Sequence, residues 1–316
     1  MSTRIDVSAD LQDAPPRRSA DTIFRLAVAS CASVVLLLLG GMLVRTTWSA
    51  WPAFQHSGIG FLTGTTWNPN TGTFGALPYI YGTLVTSVVA LILAVPVAVL
   101  IALYLSEIAP PAIGTYLGYV VDLLAAVPSV VYGLWGVFVL VPFLTTYVWQ
   151  PLSNHLAFIP IFAQFASGRN FLTAGLILAL MITPIISAIC REVFRTVPND
   201  EREAALAVGA TRWEMIRLAV LPPSRSGIVA AIMLGFGRAV GETIAVAYLI
   251  GGFPHITAHL LQQGSTIAAN IALQFNEAAS QPLFKAALIG LGVVLFAITL
   301  IINVAARLII RRGNSR

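Results

Sequence analysis

Apolar residues in this chain come in long runs, separated by polar stretches of very unequal length and charge. Six runs are long enough to cross a hydrocarbon core of roughly 30 Å, which takes about 20 helical residues. They fall at approximately 24–44, 79–105, 116–141, 171–190, 226–250 and 284–309. Pro96, Pro128 and Pro184 lie inside them, which membrane helices tolerate when neighbouring helices or side chains take up the freed backbone groups. The pattern predicts an all-α integral membrane protein with six transmembrane helices. The first run lacks a small-residue cleavage site and reads as a retained helix rather than a removed signal. The expected organisation is a polar tail at 1–22, a membrane domain at 23–312 and a short polar end at 313–316.

One interruption of the pattern is itself ordered. Residues 203–222, EAALAVGATRWEMIRLAVLP, form a polar island between the fourth and fifth runs. Asn199 can cap a helix start, with Asp200, Glu201 and Glu203 beside its positive end. Ala204 to Val208 carry that helix for about two turns, and Gly209 is placed to stop it in the left-handed conformation. Thr211 and Glu214 have the spacing of a capping box that opens a second helix, and Pro222-Pro223 should end it. The small side chains of the first helix let another surface approach closely. A helix lying on lipid is the alternative, but Ala-rich faces bind bilayers poorly compared with Trp-, Phe- and Leu-rich ones.

Composition agrees with the pattern: 57% of the 316 residues are hydrophobic and 10% charged, and the mean hydropathy is +0.85. The net charge of +5 suggests nucleic acid until its distribution is read. Arg4, Arg17, Arg18 and Arg25 precede the first run. Arg191, Arg195, Arg202, Arg212, Arg217 and Arg225 lie between the fourth and fifth, and Arg307, Arg311, Arg312 and Arg316 close the chain. With six crossings all of these share one side, so the positive-inside rule puts the termini and the island in the cytoplasm. No nucleic-acid partner is needed to explain the basic pI. Trp48, Trp51, Trp67, Tyr147 and Trp149 fall in the external loops. Each reads as part of an interfacial aromatic belt, while the loops as a set fit that belt and a landing surface for a soluble partner equally.

Several chemistries are excluded. The single lysine, Lys285, follows Phe284, so no phosphate-cradling P-loop exists. Cys31 and Cys190 sit on different membrane helices and indicate no disulfide framework. His255 and His259, at i and i+4, would hold a metal only with a third ligand from elsewhere, and two exposed histidines on a loop helix fit as well. No nucleophile–base arrangement is visible, so the chain reads as neither a catalyst nor a metal site.

The island resembles the cytoplasmic signature of ABC importer permeases. Glu203-Ala204-Ala205, three residues, Gly209, nine residues, an apolar position and Leu221-Pro222 match it, with Ala219 where that family usually has Ile. The resemblance covers roughly 79–310. It implies a type I ABC importer permease fold whose coupling helix inserts into a cleft of a separate ATP-binding subunit. ATP would be used by that partner, with no cofactor bound by this chain. Gly237-Arg238-Ala239-Val240-Gly241-Glu242-Thr243 further resembles the GRAxGET segment of phosphate-specific transport (Pst) permeases, the PstC type rather than the PstA type. Supporting segments are Gly82 to Ser87, Leu105 to Glu107, Ala126 to Gly133 and Thr266 to Asn270. The resemblance implies a PstA-like second permease, two PstB-like ATP-binding subunits, a PstS-like extracytoplasmic phosphate-binding protein, membrane lipids and a bacterial plasma (inner) membrane location. Sulfate, molybdate or phosphonate remain as alternative cargoes, and a carrier or channel outside the ABC class as an alternative mechanism.

The charge in the fifth run has its own physics. Entering at residue 226, the helix places Arg238 about 18 Å along its axis, near the bilayer centre. An arginine there costs about 2.5–3.5 kcal/mol on insertion scales and is a functional candidate by default. Glu242, four residues on, is expected on the same face, and Gly237 and Gly241 would allow close helix contact. The pair fits either a buried ion pair that fixes packing or an anion site in the transport path. Thr243, Thr86, Ser87 and Ser129 are candidate hydrogen-bond donors along such a path, or partners of their own helix backbone. Asp122, six residues into the third span, is expected near the cytoplasmic rim, where a carboxylate can reach water or an arginine, and Glu107, at the end of the second span, is expected to do the same.

Overall fold

The computed structural model describes the backbone of residues 18–313 and the side chains of residues 22–308. Most of the expected tail at 1–22 and of the end at 313–316 lies outside them. The chain divides into one unit up to Trp48 and another from Ser49 onward. The first unit is, where described, the body of helix α1 (Arg18–Ser57). Leu36, Leu37, Leu38 and Leu39 are all exposed on it, as expected of a helix whose surroundings are apolar.

Among the described residues, six helical stretches are long and apolar enough to cross a membrane: Thr22–Ser57, Leu77–Ile108, Ser129–His155, Phe171–Arg195, Arg212–Gly241 and Pro282–Leu308. Two short elements, α2 (Gly60–Thr63) and the hairpin β1 (Trp67–Asn68) with β2 (Thr73–Phe74), precede α3 (Leu77–Leu103). A π turn, Tyr104–Ile108, extends α3, and α4 (Pro111–Ala125) follows. The third span is α5 (Ser129–Trp135), α6 (Val141–Leu144) and α7 (Gln150–His155), joined by π turns. Next come α8 (Phe171–Arg195), the island helices α9 (Asn199–Ala207) and α10 (Arg212–Met215), and α11 (Leu221–Gly241). The chain ends in α12 (Ile244–Leu249), α13 (Ile267–Gln274) and α14 (Pro282–Gly313).

The centre of the second unit is α3 packed on α8. Gly82, Thr86, Ala90, Ala94, Ala98 and Ala102 recur every four residues on α3 and all are buried. That stripe of small side chains lets the two backbones approach closely, the usual basis of helix association in lipid. The fit is tight in both directions: a methyl on Gly175 of α8 would meet Val89 Cγ1 at 2.5 Å.

The third span departs from the hydropathy reading. The run at 116–141 is not one helix; it breaks between Ala125 and Ser129, where Pro128 is extended (φ −59°, ψ 140°). Proline lacks an N–H and pushes the residue before it out of the helical region. Apolar residues continue on both sides, so hydropathy alone cannot register the break. Asp122 therefore belongs to the connecting helix α4, and the span starts at Ser129 and runs on to His155.

The loops on the side opposite the island hold ordered structure. Trp67 donates from Nε1 to Gln274 Oε1 at 3.0 Å and packs edge-on against Phe74 and Tyr79. Trp149 is buried and donates to Thr173 Oγ1 at 2.9 Å. Trp149 is thus buried inside the end of the third span and Trp67 is half-buried with its ring nitrogen bonded within the chain, whereas Trp48 and Trp51 are exposed. His255 and His259 lie in irregular backbone, so they share no helical face. His255 Nε2 contacts Gln262 Oε1 at 2.8 Å, and His259 Nδ1 contacts the Pro160 carbonyl. Among the described residues no cluster of metal-ligand type forms.

Candidate functional site

The island folds as two capped helices around a tight bend. Pro198, not Asn199, occupies the N-cap of α9, because its fixed φ suits the entry; Asp200 and Glu201 stand in the first turn beside the positive end. Asn199 Oδ1 instead accepts from Arg202 Nη1 at 3.3 Å. At the other end Gly209 is left-handed (φ +89°). Its N–H bonds to the Leu206 carbonyl and that of Ala210 to the Ala205 carbonyl, the paired closure of a Schellman motif. The capping box is complete: Glu214 N–H donates to Thr211 Oγ1 at 3.3 Å, and Thr211 N–H to Glu214 Oε2 at 2.8 Å.

The surface of this bend is polar with apolar points. Glu203, Ala204 and Gly209 are exposed and Ala205 is half-buried against the core. Val208 is 85% exposed and Trp213 58%. Leu221 is half-buried and Pro222 exposed.

Pro222-Pro223 do not end the second island helix. A π turn, Ile216–Val220, precedes them, with Leu221 N–H reaching back to the Ile216 carbonyl. The prolines then stand at the first positions of α11, where no N–H donor is needed. Arg212–Gly241 is in consequence one 30-residue rod, about 45 Å long at 1.5 Å per residue.

The far end of this rod is where the second motif sits. α11 stops at Gly241, and Glu242 is extended (φ −68°, ψ 131°) before α12 begins. Arg238 and Glu242 are thus not on one continuous helix face, and no ion pair joins them. The backbone break, in a stretch expected to be helical to 250, is the reason. Irregular backbone at membrane depth is tolerated where it is enclosed by protein or lines a cavity. Arg238 is exposed and has no hydrogen-bond or carboxylate partner among the described residues. The Tyr132 hydroxyl donates to the Leu124 carbonyl at 3.0 Å. Gly237 and Gly241 make no close helix contact in this chain; a methyl on either would meet nothing within 4 Å.

Of the other candidate path residues, Thr243 is half-buried at the break and donates to the Gly241 carbonyl at 3.1 Å. Thr86 is buried and bonds back to Gly82 and Thr83 carbonyls of its own helix. Ser87 is buried beside it with its hydroxyl unpartnered. Ser129 opens α5, half-buried. Arg238 and Gly237 line one cavity; Thr86 and Ser129 do not line it.

Two ion pairs stand where Glu107 and Asp122 were expected to reach water or an arginine; the one at Glu107 is buried, whereas Asp122 is half exposed. Arg202 of α9 grips Glu107 on the π turn after α3, and Arg191 of α8 contacts both oxygens of Asp122 on α4 at 2.9 Å. The sequence placed both carboxylates within reach of the island-side arginines, but it did not say which arginine each would meet.

Long apolar helices around a broken fifth span, preceded by an ordered helical loop, are the architecture of the permease fold of ABC importers. Solved structures share it at low sequence identity. One is a bacterial ABC transporter involved in the import of the acidic polysaccharide alginate (TM-score 0.59, 19% identity, 92% of this chain and 97% of that one). Another is the MetNI methionine ABC transporter in an inward-facing conformation (TM-score 0.52, 18% identity, 76% and 94%). Residues 94–314 match the family described as binding-protein-dependent transport system inner membrane component. Relatives named phosphate transport system permease protein PstC include those of Xylella fastidiosa (42% identity over 307 residues, 96% of this chain and 93% of the relative) and Mesorhizobium japonicum (42% over 311, 96% and 95%). PstC 2 of Mycobacterium tuberculosis is 40% identical over 305 residues (94% of each). The chain belongs to this inner membrane component family and, within it, to the PstC permeases.

Proposed function

We propose that this chain is the phosphate-conducting permease subunit of an ATP-driven importer in a bacterial plasma membrane, one half of a path that opens alternately to either side. The observation that carries the reading is Arg238: a guanidinium without a carboxylate partner among the described residues, beside a backbone break, at one end of the rod Arg212–Gly241 whose other end is the exposed island. The names of the PstC relatives support phosphate as the cargo. The arginines on the island side support a cytoplasmic island and cytoplasmic termini.

A PstS-like protein delivers phosphate to the outer loop caps, and a PstA-like subunit forms the other half of the path. Two PstB-like subunits bind and hydrolyse ATP, one of them gripping Glu203, Ala204, Ala205 and Gly209 of this chain. Their closure moves α9 and α10, and the rod carries that movement to Arg238. Arg238 attracts the anion. Glu242 keeps the empty site near neutral by proximity rather than by holding the guanidinium, so that phosphate is bound and released. Thr243, at the break, supplies a hydroxyl next to both charges. This chain needs no cofactor of its own for these tasks.

Phosphate uptake by Arg238→Gln and Glu242→Gln, at native membrane abundance and native association with the ATP-binding subunit, tests the reading. Uptake falls in both variants; a native rate in both overturns the proposal. Competition by sulfate, molybdate and phosphonate against labelled phosphate fixes the cargo. Flux that persists without the ATP-binding subunit would indicate a carrier or channel instead.

A further inference from the structure

The cavity that holds Arg238 contains a second, unassigned cation. It measures about 520 Å³ and lies between α8, α11 and α14, with Ile185, the α11 face from Ala230 to Arg238, Asn303 and Arg307 on its walls. The α11 face extends about 12 Å, eight residues at 1.5 Å each. α11 leaves the island side and α14 crosses back to it, so Arg307, within the last two turns of α14, stands toward the island. Asn303 is one turn away on the same face of α14.

Neither Asn303 nor Arg307 has a hydrogen-bond or ion-pair partner among the described residues, and no carboxylate lines the cavity. Two guanidinium groups in one carboxylate-free recess between membrane helices call for an anion. Arginine with an amide beside it offers several donors to a tetrahedral oxyanion. Transport also gains from a weak second station, because an ion leaves a strong site more readily when another receives it.

We infer that Asn303 and Arg307 form a second phosphate-group site at the island end of this cavity, which receives the anion released from Arg238. The inference rests on the proposed role of Arg238 in the path. The same chemistry would also take the headgroup of an anionic lipid, since a long arginine side chain near a membrane boundary can reach the interface.

The test uses the complete importer, nucleotide-free, carrying Arg238→Gln so that the second site is seen alone. It is placed in nanodiscs of phosphatidylcholine and, separately, of phosphatidylcholine with phosphatidylglycerol. Radiolabelled inorganic phosphate is the probe. Adding Arg307→Gln or Asn303→Ala weakens binding about ten-fold in neutral lipid, the scale of one lost charge-assisted hydrogen bond, and Arg307→Lys restores most of it. With Arg238 intact, Arg307→Gln lowers uptake turnover while the half-saturating phosphate concentration stays within about two-fold, because the soluble binding partner sets it. Phosphate binding unchanged by both substitutions overturns the inference. Loss of co-purified phosphatidylglycerol with phosphate binding unchanged also overturns it and assigns the site to lipid. Failure of the parent reading looks different: Arg238→Gln alone would import phosphate at the native rate.

Discussion

Arg202 holds Glu107 through two hydrogen bonds of 3.0 Å, from Nε to Oε2 and from Nη2 to Oε1. The Glu107 side chain is 3% exposed and that of Arg202 16%. The same guanidinium donates to the Phe194 carbonyl at 2.7 Å and to the Val197 carbonyl at 2.5 Å. One side chain of the first island helix thus ties the end of the second span to the end of the fourth. A shift of α9 would strain both contacts, so Arg202 is where the proposed coupling can be probed.

Breaking this clamp from one side leaves a buried charge unpaired, at a cost of about 3–5 kcal/mol. Arg202→Met and Glu107→Gln should each lower membrane abundance and thermal stability. The double variant Arg202→Met/Glu107→Leu removes both charges and should recover much of the stability. Its ATPase activity should persist while phosphate imported per ATP falls. A double variant with native coupling would confine the clamp to a folding role.

Gly209 sits at φ +89° with open space around its missing side chain. Any loss in Gly209→Ala therefore comes from the backbone, at about 1–2 kcal/mol for a left-handed residue, and Asn should be tolerated better than Ala. Co-purification of the ATP-binding subunit should weaken in the order Asn, Ala, Val. Thermal unfolding of the membrane core should move little, because the bend is exposed.

The island and the spans were legible because their signals are local. The left-handed glycine and the capping box each depend on residues within one turn, and both are realised at Gly209 and Thr211. What escaped were features set by long-range packing or by the hydrogen-bond ladder. A π turn before Pro222 let the helix run through two prolines, and no residue type encodes it. The stop at Gly241 lies inside an apolar stretch, so hydropathy passed over it and put Arg238 and Glu242 on one face. Glu107's place at a span end allowed an arginine partner, but that the partner is Arg202, 95 residues on, lies beyond any spacing rule.

Gly118 of α4 is the seat of the second ion pair. A methyl there would meet Arg191 Nη1 at 2.5 Å, and Arg191 is only 7% exposed. Its Nε has no acceptor, so the guanidinium depends on Asp122 for its polar contacts. Gly118→Ala should displace it and cost about 1–3 kcal/mol, in the range for overpacking. The drop in melting temperature should be largely absent when Gly118→Ala is placed on Asp122→Asn/Arg191→Met, where the guanidinium is gone.

Three glycines of α11 should separate folding from assembly. A methyl on Gly235 would meet Ile186 Cδ1 at 2.6 Å and Cγ1 at 2.7 Å, whereas Gly237 and Gly241 face open space in this chain. Gly235→Ala should therefore destabilise the subunit itself, by about 1–3 kcal/mol, and lower its abundance even when expressed alone. Gly237→Ala and Gly241→Ala should leave the isolated subunit as abundant and as heat-stable as the native chain. Their effect should emerge only in the complete importer, because small residues spaced by four allow a second helix to approach closely. Replacement by Leu should sharpen the contrast: pull-down of the second permease should fall for Gly237→Leu and Gly241→Leu while the subunit alone remains folded. If both Leu variants assemble and transport normally, that face meets lipid, and the path beside Arg238 closes on another side.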